Sequence, residues 1–313
     1  MDRNSTVFIA GHKGMVGSAV ERAFRRHGFT DILTRSHSEL DLCDPVQVRE
    51  FFDREQPEYV VLAAAKVGGI MANNSYPVEF LLQNLAIQNN VITEAWKHKV
   101  KKLCFLGSSC IYPAHAPQPI KEEYLLSGTL EPTNEAYALA KITGYKLCCY
   151  LSREYGFNTI SLMPCNLYGT NDNYHPQFSH VFPAFIRKFV EAVRNNLPEV
   201  TLWGSGNPLR EFLHVDDVAE AVVYFMENHN DPDVINIGYG SDITIRELAE
   251  KISASAGYKG KIVWDNSKPD GMYRKLMDSS RARALGWMPQ ITLEHGIART
   301  IEEFSQMDDF RGK

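Results

Sequence analysis

The chain has 313 residues, of which 44% are hydrophobic and 23% charged, and its formal net charge at pH 7 is -5. This composition is typical of a globular protein with one large or two smaller domains. The negative charge and the absence of a basic run argue against nucleic acid as the main partner. No apolar run is long enough to span a bilayer and no signal peptide is recognisable, so we expect no membrane contact and a cytoplasmic location.

The first predicted strand, residues 6–10, runs directly into a glycine-rich turn. Gly11, Gly14 and Gly17 have the spacing G-x-x-G-x-x-G, and a helical pattern follows. Glycines let the backbone approach a pyrophosphate closely, and a helix N-terminus offers free N–H groups. A glycine turn can be simple chain reversal, but its position after the first strand favours dinucleotide binding.

The second predicted strand, residues 31–34, ends in basic residues, where an Asp or Glu would bind a ribose 2′-hydroxyl. Arg35 and His37 follow this strand, and Lys13 lies in the glycine turn. An arginine here suits a 2′-phosphate, so the sequence predicts NADP(H) over NAD(H). The alternative is that the three side chains are solvated surface charges. If His37 takes part, the preference for NADPH should depend on pH.

Strand and helix signals alternate as far as about residue 164. A buried strand is predicted over 59–65 and long helices over 77–97 and 137–155. Inside the first of these helices, Asn84 is either a buried polar contact or an exposed residue, and the sequence leaves both open. The alternation predicts an α/β fold with a doubly wound parallel sheet of the Rossmann type.

The composition changes beyond residue 164, where His, Asn, Pro and aromatic residues interrupt the alternation. We interpret 1–164 as an NADP-binding domain and 165–313 as a smaller α/β substrate-binding domain. The two are interleaved, because a helix and a strand within about 211–238 return to the first domain. Residues 170–210 are expected to form a substrate-binding insertion, and residues 285–304 one further helix.

The apolar strand predicted over 102–106 ends in small hydroxyl and thiol residues, among them Ser108 and Cys110. The carboxyl ends of parallel strands face the ligand crevice, so these side chains should project into a site. Tyr137 and Lys141 share one helical face at i,i+4 spacing. Such a tyrosine can donate a proton to a ketone that receives a hydride, and a nearby ammonium lowers the pKa of a phenol. The alternative is an ordinary amphipathic helix.

Six cysteines are scattered through the chain without the spacing of metal ligands. We therefore expect reduced thiols and no metal site. The adjacent pair Cys148 and Cys149 is predicted to fill the core.

Several independent segments together resemble the extended short-chain dehydrogenase/reductases that act on nucleotide sugars. They are the glycine turn, residues 63–70, 107–113, the Tyr137-x-x-x-Lys141 helix, and residues 166–169, 173–175, 179–181 and 210–217. The resemblance covers nearly the whole chain. It implies NADPH as cofactor and a GDP-sugar substrate, with epimerisation at C3 and C5 and reduction of a C4 ketone. It also implies a homodimer joined through the helices predicted over 77–97 and 137–155.

The resemblance further implies roles for five catalytic residues. Ser108, Tyr137 and Lys141 would polarise the C4 carbonyl, Cys110 would abstract the C3 and C5 protons, and His180 would return them. From the residues alone, a cysteine at a strand end is equally well explained by burial, and a histidine in a loop by exposure.

Contacts to the two ligands are also implied by the resemblance. GDP-sugar contacts fall on Lys188, Trp203, Arg210 and Asp270, with Arg187 as an alternative to Lys188. Cofactor contacts fall on Gly11, His12, Lys13, Gly14, Met15, Val16, Gly17, Arg35, His37, Asp41, Leu42, Leu106, Gly107, Ser109, Lys141, Pro164, Cys165, Asn166, Leu167 and His180.

Two other functions stay open at this point. A nucleotide-sugar 4,6-dehydratase or 4-epimerase shares the cofactor and the Tyr–Lys pair, but a dehydratase would need an Asp–Glu pair where this chain has Ser109 and Cys110. A catalytically idle NADP(H)-sensing scaffold need not retain Ser108, Tyr137 and Lys141 together. All three are present.

Overall fold

The structure is a computed structural model, and it describes residues 1–268 and 270–307. In chain order its strands are β1 (Val7–Ala10), β2 (Ile32–Leu33), β3 (Tyr59–Leu62), β4 (Lys102–Leu106), β5 (Thr159–Pro164), β6 (Asn166–Tyr168), β7 (Glu199–Trp203), β8 (Leu209–Arg210), β9 (Phe212–His214), β10 (Val234–Ile237), β11 (Ile243–Thr244), β12 (Lys261–Asp265) and β13 (Arg274–Lys275).

The helices are α1 (Met15–Arg26), α2 (Pro45–Glu55), α3 (Ile70–Ser75), α4 (Pro77–Lys97), α5 (Glu135–Tyr155), α6 (Val181–Arg194), α7 (Val215–Asn228), α8 (Ile245–Ser255), α9 (Ser280–Ala284) and α10 (Leu293–Gln306). Short 3₁₀ turns occur at Ser109–Ile111, Glu122–Tyr124 and Pro132–Asn134. Within the described ranges, no helix has both the length and the apolar content needed to cross a membrane.

A six-stranded sheet with the order β10-β5-β4-β3-β1-β2 forms the centre of the molecule. Every neighbouring pair in it is parallel. Strands β1 and β4 are fully buried, which is why, apart from Lys102 at the start of β4, they are apolar runs without polar alternation. The predicted doubly wound parallel sheet is confirmed.

Helices cover both faces of this sheet. On one side α1 packs against α7, and on the other α4 packs against α2 and α5. The chain leaves β1 for β2 in one direction and returns to β3 on the other side of β1. The carboxyl ends of β1 and β3 therefore flank the point where the strand order reverses, which is where open α/β sheets bind their ligands.

A second apolar cluster lies apart from the main core. It contains residues of α6, α8 and α10, such as Phe189, Ile252 and Phe304. Strand β7 pairs with β12, and β8 lies between β11 and β13. The domain boundary at residue 164 stays a prediction, and these two apolar clusters support it. Strand β10, at 234–237, belongs to the main sheet beside β5.

Several predicted element boundaries need correction. The strand predicted over 59–65 ends at Leu62, and the one predicted over 31–34 keeps only two residues. The single helix predicted over 285–304 is wrong at its start. Gly286 has a φ of +96°, and α10 begins only after Thr292, whose side chain accepts a hydrogen bond from the His295 N–H. The predicted insertion at 170–210 contains the regular elements α6 and β7.

Asn84, left open by the sequence, is buried. Its amide donates to the carbonyl oxygens of Lys66 and Phe80, and its side-chain oxygen accepts from the Lys66 N–H. These bonds satisfy both backbone groups of Lys66, where the chain leaves β3. Asn84 therefore anchors the loop that follows the central strand.

Candidate active site

The glycine turn after β1 is too tightly packed for larger residues. Gly11 has a φ of +92°, and a Cβ added to it would lie 2.7 Å from the Cα of Ala64. A Cβ on Gly17 would lie 2.1 Å from the Gly11 carbonyl oxygen. No side chain caps α1 at Gly14, and the buried Nδ1 of His12 has no partner within the described residues. The turn thus has the backbone shape and the available N–H groups that fit a pyrophosphate.

Arg35 and Lys13 lie near the same carboxylate beyond the end of β2. Hydrogen bonds from Ser36 lower the pKa of Glu39, and the charges of Arg35 and Lys13 lower it further. The guanidinium of Arg35 is itself paired with Glu55, at 2.7 Å between Nη2 and Oε1. Arg35 would have to share its donors with Glu55 in order to bind a 2′-phosphate. Its role stays a prediction.

The other residues predicted to touch the cofactor mostly lie at the carboxyl ends of strands. Gly107 follows β4, and a Cβ there would lie 2.0 Å from the sulfur of Met163. The amide of Asn166 donates to the Glu211 carbonyl oxygen at 2.9 Å. Leu106 ends β4, Pro164 ends β5, Ser109 opens a 3₁₀ turn, Cys165 and Leu167 adjoin Asn166, Met15 and Val16 open α1, and His37, Asp41 and Leu42 lie between β2 and α2.

Ser108, Tyr137 and Lys141 meet where β4 ends and α5 begins. The Ser108 side chain hydrogen-bonds the Tyr137 phenol and also accepts the Cys110 N–H at 3.2 Å. The Nζ atom of Lys141 donates to the Leu106 carbonyl oxygen at 2.9 Å and lies 5.9 Å from the centre of the Tyr137 ring. The structure therefore brings together the three residues predicted to act on the carbonyl.

Desolvation dominates the protonation of this group. It raises the pKa of Tyr137, a negative charge on Cys110 would raise it further, and the hydrogen bond from Ser108 opposes both. Desolvation also lowers the pKa of Lys141 from 10.5 to about 8. The sequence argument expected Lys141 to bring the Tyr137 pKa towards neutrality, but burial raises that pKa instead. The phenol is protonated at neutral pH, the state that a proton donor requires.

Cys110 receives two N–H donors from separate parts of the chain. Its Sγ atom lies 3.3 Å from Nδ2 of Asn134 and 3.6 Å from Nζ of Lys275. These residues line a small pocket together with Glu131 and Met272. The thiol is therefore half-buried beside a cation and open to a ligand.

His180 lies directly before α6, at the N-terminal end of the helix. The residue is exposed at the cleft. Desolvation by the surrounding protein nevertheless lowers the pKa of its imidazole, and the charge of Lys275 lowers it further. Just before it, the Phe178 carbonyl oxygen accepts the Gly69 N–H at 3.2 Å. The loop after β3 thereby supports the segment that carries His180.

Two of the predicted substrate residues form one contact. Lys188 Nζ donates to the Thr201 carbonyl oxygen at 2.8 Å and lies 5.9 Å from the centre of the Trp203 ring. Arg187 is paired instead with Glu191, at 2.7 Å between Nε and Oε1. Of the two cations that the sequence left open, Lys188 is the one beside Trp203, whose side chain is exposed.

The other two predicted substrate residues, Arg210 and Asp270, interact electrostatically. Hydrogen bonds from Ser205 lower the pKa of Asp270, and the charge of Arg210 adds to this effect. Desolvation lowers the pKa of Arg210, and Asp270 opposes that shift. Arg210 is the β8 partner of Lys275 in β13. Arg210 therefore lies on the strand next to Lys275, the residue that contacts Cys110.

Two residues of the site were missed by sequence reasoning. Neither Asn134 nor Lys275 was singled out from the sequence. Lys275 is 165 residues away from Cys110 in the chain. No local pattern marks it, although its place next to the β8 strand of Arg210 provides a structural signal.

A glycine turn at the switch point and a Ser–Tyr–Lys group beside it define a nicotinamide-dependent enzyme that acts at a carbonyl carbon. Residues 7–238 match the NAD dependent epimerase/dehydratase family, and the chain belongs to this family. The family predicted from the sequence is confirmed.

Individual relatives resemble the chain over nearly its full length. It is 52% identical to GDP-L-fucose synthase of Escherichia coli K12, covering 98% of each protein. It is 54% identical to GDP-L-fucose synthase 1 of Arabidopsis thaliana, covering 96% of this chain and 93% of that protein. Among solved structures, MlghC, a GDP-mannoheptose C4 reductase from Campylobacter jejuni with NADP bound, has a TM-score of 0.90 and 38% identity, covering 97% of this chain and 99% of that one.

Proposed function

We propose that this enzyme converts GDP-4-keto-6-deoxy-D-mannose to GDP-L-fucose, with NADPH as reductant. The observation that carries the proposal is that the residues proposed for reduction and the residues proposed for epimerisation contact each other in one cleft. Ser108 contacts both Tyr137 and the Cys110 backbone, and Lys275 lies near both Cys110 and His180. The relatives from Escherichia coli and Arabidopsis thaliana, at 52% and 54% identity, bear the name of this activity.

Epimerisation at C3 and C5 depends on the C4 ketone, which acidifies the C–H bond on each side. Cys110, as the thiolate, takes the proton from carbon, and the electron pair of the broken C–H bond moves onto the C4 oxygen. Ser108 and Tyr137 stabilise that oxygen by hydrogen bonds. Because the pKa of its imidazole is lowered, His180 takes up a proton from solvent and returns it to the opposite face. One inversion therefore consumes no reductant.

Reduction uses the same C4 oxygen. NADPH, when held by the glycine turn, would supply the hydride for C4. Tyr137 gives its phenolic proton to the oxygen as negative charge develops there. Lys141, held by the Leu106 carbonyl oxygen, lies close enough to the ring to stabilise the phenolate that remains.

The remaining polar residues suit the two ligands. We assign the glycine turn to the pyrophosphate of NADPH, and Arg35 with Lys13 to its 2′-phosphate. Lys188 and Arg210 would bind the diphosphate of the GDP-sugar. Trp203 would stack on an aromatic or sugar ring, and Asp270 would accept hydrogen bonds from base or ribose donors.

A C4 reductase without epimerisation is the second candidate, because MlghC has that name at 38% identity. Reduction alone needs no base beside the substrate. The contact between Lys275 and the Cys110 thiol favours the bifunctional enzyme, since a cation next to a thiol promotes the thiolate.

The proposal is tested by mixing the purified protein with NADPH and GDP-4-keto-6-deoxy-D-mannose in deuterated water. We expect loss of NADPH absorbance, GDP-L-fucose as the product by chromatography, and deuterium at C3 and C5. A reduced product without deuterium at these carbons would favour the C4 reductase. NADPH binding without consumption would contradict both candidates.

We infer a homodimer formed through α4 and α5. The two helices pack against each other, yet they leave large apolar side chains exposed. Leu82 and Leu139 are 59% and 43% exposed, and Tyr150, three turns beyond Leu139, is 50% exposed. An apolar patch of this kind on paired helices is typical of a subunit interface.

Replacing Leu139 by Arg is expected to convert the dimer to a monomer, because a charge would be placed in an apolar interface. Light scattering after size-exclusion chromatography measures the molar mass. Leu197→Arg is the matched control, since Leu197 is 46% exposed and lies outside both helices. A wild-type protein that is already monomeric would rule out the proposed interface.

We also propose a cytoplasmic location and the domain boundary at residue 164. All six cysteines are unpaired, which suits a reducing compartment. The two apolar clusters support a cofactor-binding and a substrate-binding domain.

A further inference from the structure

The ammonium of Lys275 approaches the thiol of Cys110 without a carboxylate partner. Nζ lies 3.6 Å from Sγ. Within residues 1–268 and 270–307, none of the ion pairs within 4.0 Å involves Lys275, although its neighbour Arg274 is paired with Asp242 at 2.6 Å. The cation is half-buried, so its charge is only partly screened by water. Within the described residues, the Cys110 sulfur is the one polar atom to which the Lys275 ammonium is hydrogen-bonded.

The backbone around Lys275 is held from two sides. The N–H of Leu276 donates to the Gln118 side chain at 2.9 Å, and that of Met277 donates to the carboxylate of Glu211 at 3.0 Å. On its other edge β13 pairs with β8. Lys275 therefore extends from a fixed strand, and its approach to Cys110 is built into the fold.

We propose that Lys275 is a positioning residue that stabilises the thiolate of Cys110 and so supplies the base for epimerisation. The inference rests on the proposed function. Asn134 assists, because its Nδ2 donates to the same sulfur at 3.3 Å. Two N–H donors on one sulfur favour the anion over the thiol, since a thiolate is the better acceptor.

The other charged groups around the thiol do not replace Lys275. Glu131 lines the same pocket and disfavours a thiolate by its negative charge. Tyr137 faces Cys110 from α5 and is neutral while protonated. The charge of Lys275 lowers the pKa of His180, and Arg210 on the neighbouring strand interacts with Asp270. Lys275 is thus the nearest cation to the sulfur in the described structure.

The proposal is tested on the free enzyme by alkylation with iodoacetamide, followed for each cysteine by peptide mass spectrometry over a range of pH. Lys275→Met removes the charge, Lys275→Gln is a second neutral variant in case the first is unstable, and Lys275→Arg retains the charge. Cys43 is the internal control, because its pKa is raised by burial and by Asp41 and has no contribution from Lys275.

In the two neutral variants we expect the midpoint of the Cys110 alkylation profile to rise by about one to two pH units, as loss of one nearby charge implies. The Cys43 profile should not move, and Lys275→Arg should stay near the wild type. Because Lys275 lowers the pKa of His180, its removal should also raise the titration midpoint of that imidazole, as measured by NMR. An unchanged Cys110 midpoint would refute the proposal.

Kinetics separates this role from direct substrate binding. If Lys275 acts on the thiol, Lys275→Met should slow deuterium entry at C3 and C5 and shift its pH profile upward, with little change in KM. A rise in KM with an unshifted profile would mean that Lys275 binds the substrate instead, and would overturn the inference. Lys251→Met is the matched control, because Lys251 is paired with Glu294 at the surface. A shifted alkylation profile without any epimerisation would refute the proposed function and leave the Lys275–Cys110 pairing intact.

Discussion

Replacing Tyr137 by Phe is expected to slow NADPH oxidation in the presence of the ketone substrate by about 10²–10⁴-fold, the usual contribution of a general acid. The variant keeps the ring that meets Phe80 edge to face, with 6.5 Å between centroids. It loses only the hydroxyl that is protonated at neutral pH and hydrogen-bonded with Ser108. The fold and NADPH binding should therefore survive while reduction fails.

The same variant separates the two halves of the reaction. Deuterium should still enter C3 and C5, because Cys110 remains and Ser108 still polarises the C4 oxygen, although at a reduced rate. Tyr145→Phe, two turns further along α5, is the matched control and should reduce the ketone at the wild-type rate. Reduction by Tyr137→Phe at more than a tenth of the wild-type rate would show that another group donates the proton.

Elements marked by local chemistry could be predicted from the sequence. Pro77 at the first position of α4 and Gly156 at the end of α5, with a φ of +68°, fix helix ends that coincide with the predicted ones. Strand β4 was equally clear, because it is a buried apolar run that stops in small polar residues.

Elements limited by distant contacts were not predictable in detail. The strand predicted over 59–65 is shorter because its residues beyond Leu62 pass against the glycine turn, where Gly11 faces Ala64. The last helix starts late because Gly286 turns the chain and Thr292 provides the cap. The local sequence pattern indicates helix or strand propensity, but it does not show where a turn or a distant contact ends the element.

The same distinction holds for the site. Tyr137 and Lys141 are linked by helical spacing, so their proximity follows from the sequence. The pairing of Arg35 with Glu55 and the approach of Lys275 to Cys110 join segments that only the fold brings together. Sequence reasoning could name Cys110 as a base but could not identify the cation that such a base requires.

Replacing Cys110 by Ala is expected to lower the rate of deuterium entry at C3 and C5 by about 10²–10⁴-fold, since it removes the thiol that we propose as the base for both protons. This change does not affect the three residues proposed to act on the C4 carbonyl, because Ser108, Tyr137 and Lys141 keep their contacts. Any NADPH that is still consumed should yield a C4-reduced sugar without inversion at C3 and C5.

Cys149→Ala is the matched control for this variant. Cys149 lies on α5, where its thiol is half-buried and 3.6 Å from the Pro232 carbonyl oxygen, and its loss should leave both reactions unchanged. If Cys110→Ala still formed GDP-L-fucose at the wild-type rate, the base would have to be another group. His180 would then be the remaining candidate, because burial and the charge of Lys275 lower the pKa of its imidazole, and a neutral imidazole can accept a proton. The Cys110→Ala measurement therefore decides whether the thiol of Cys110 or the imidazole of His180 is the base.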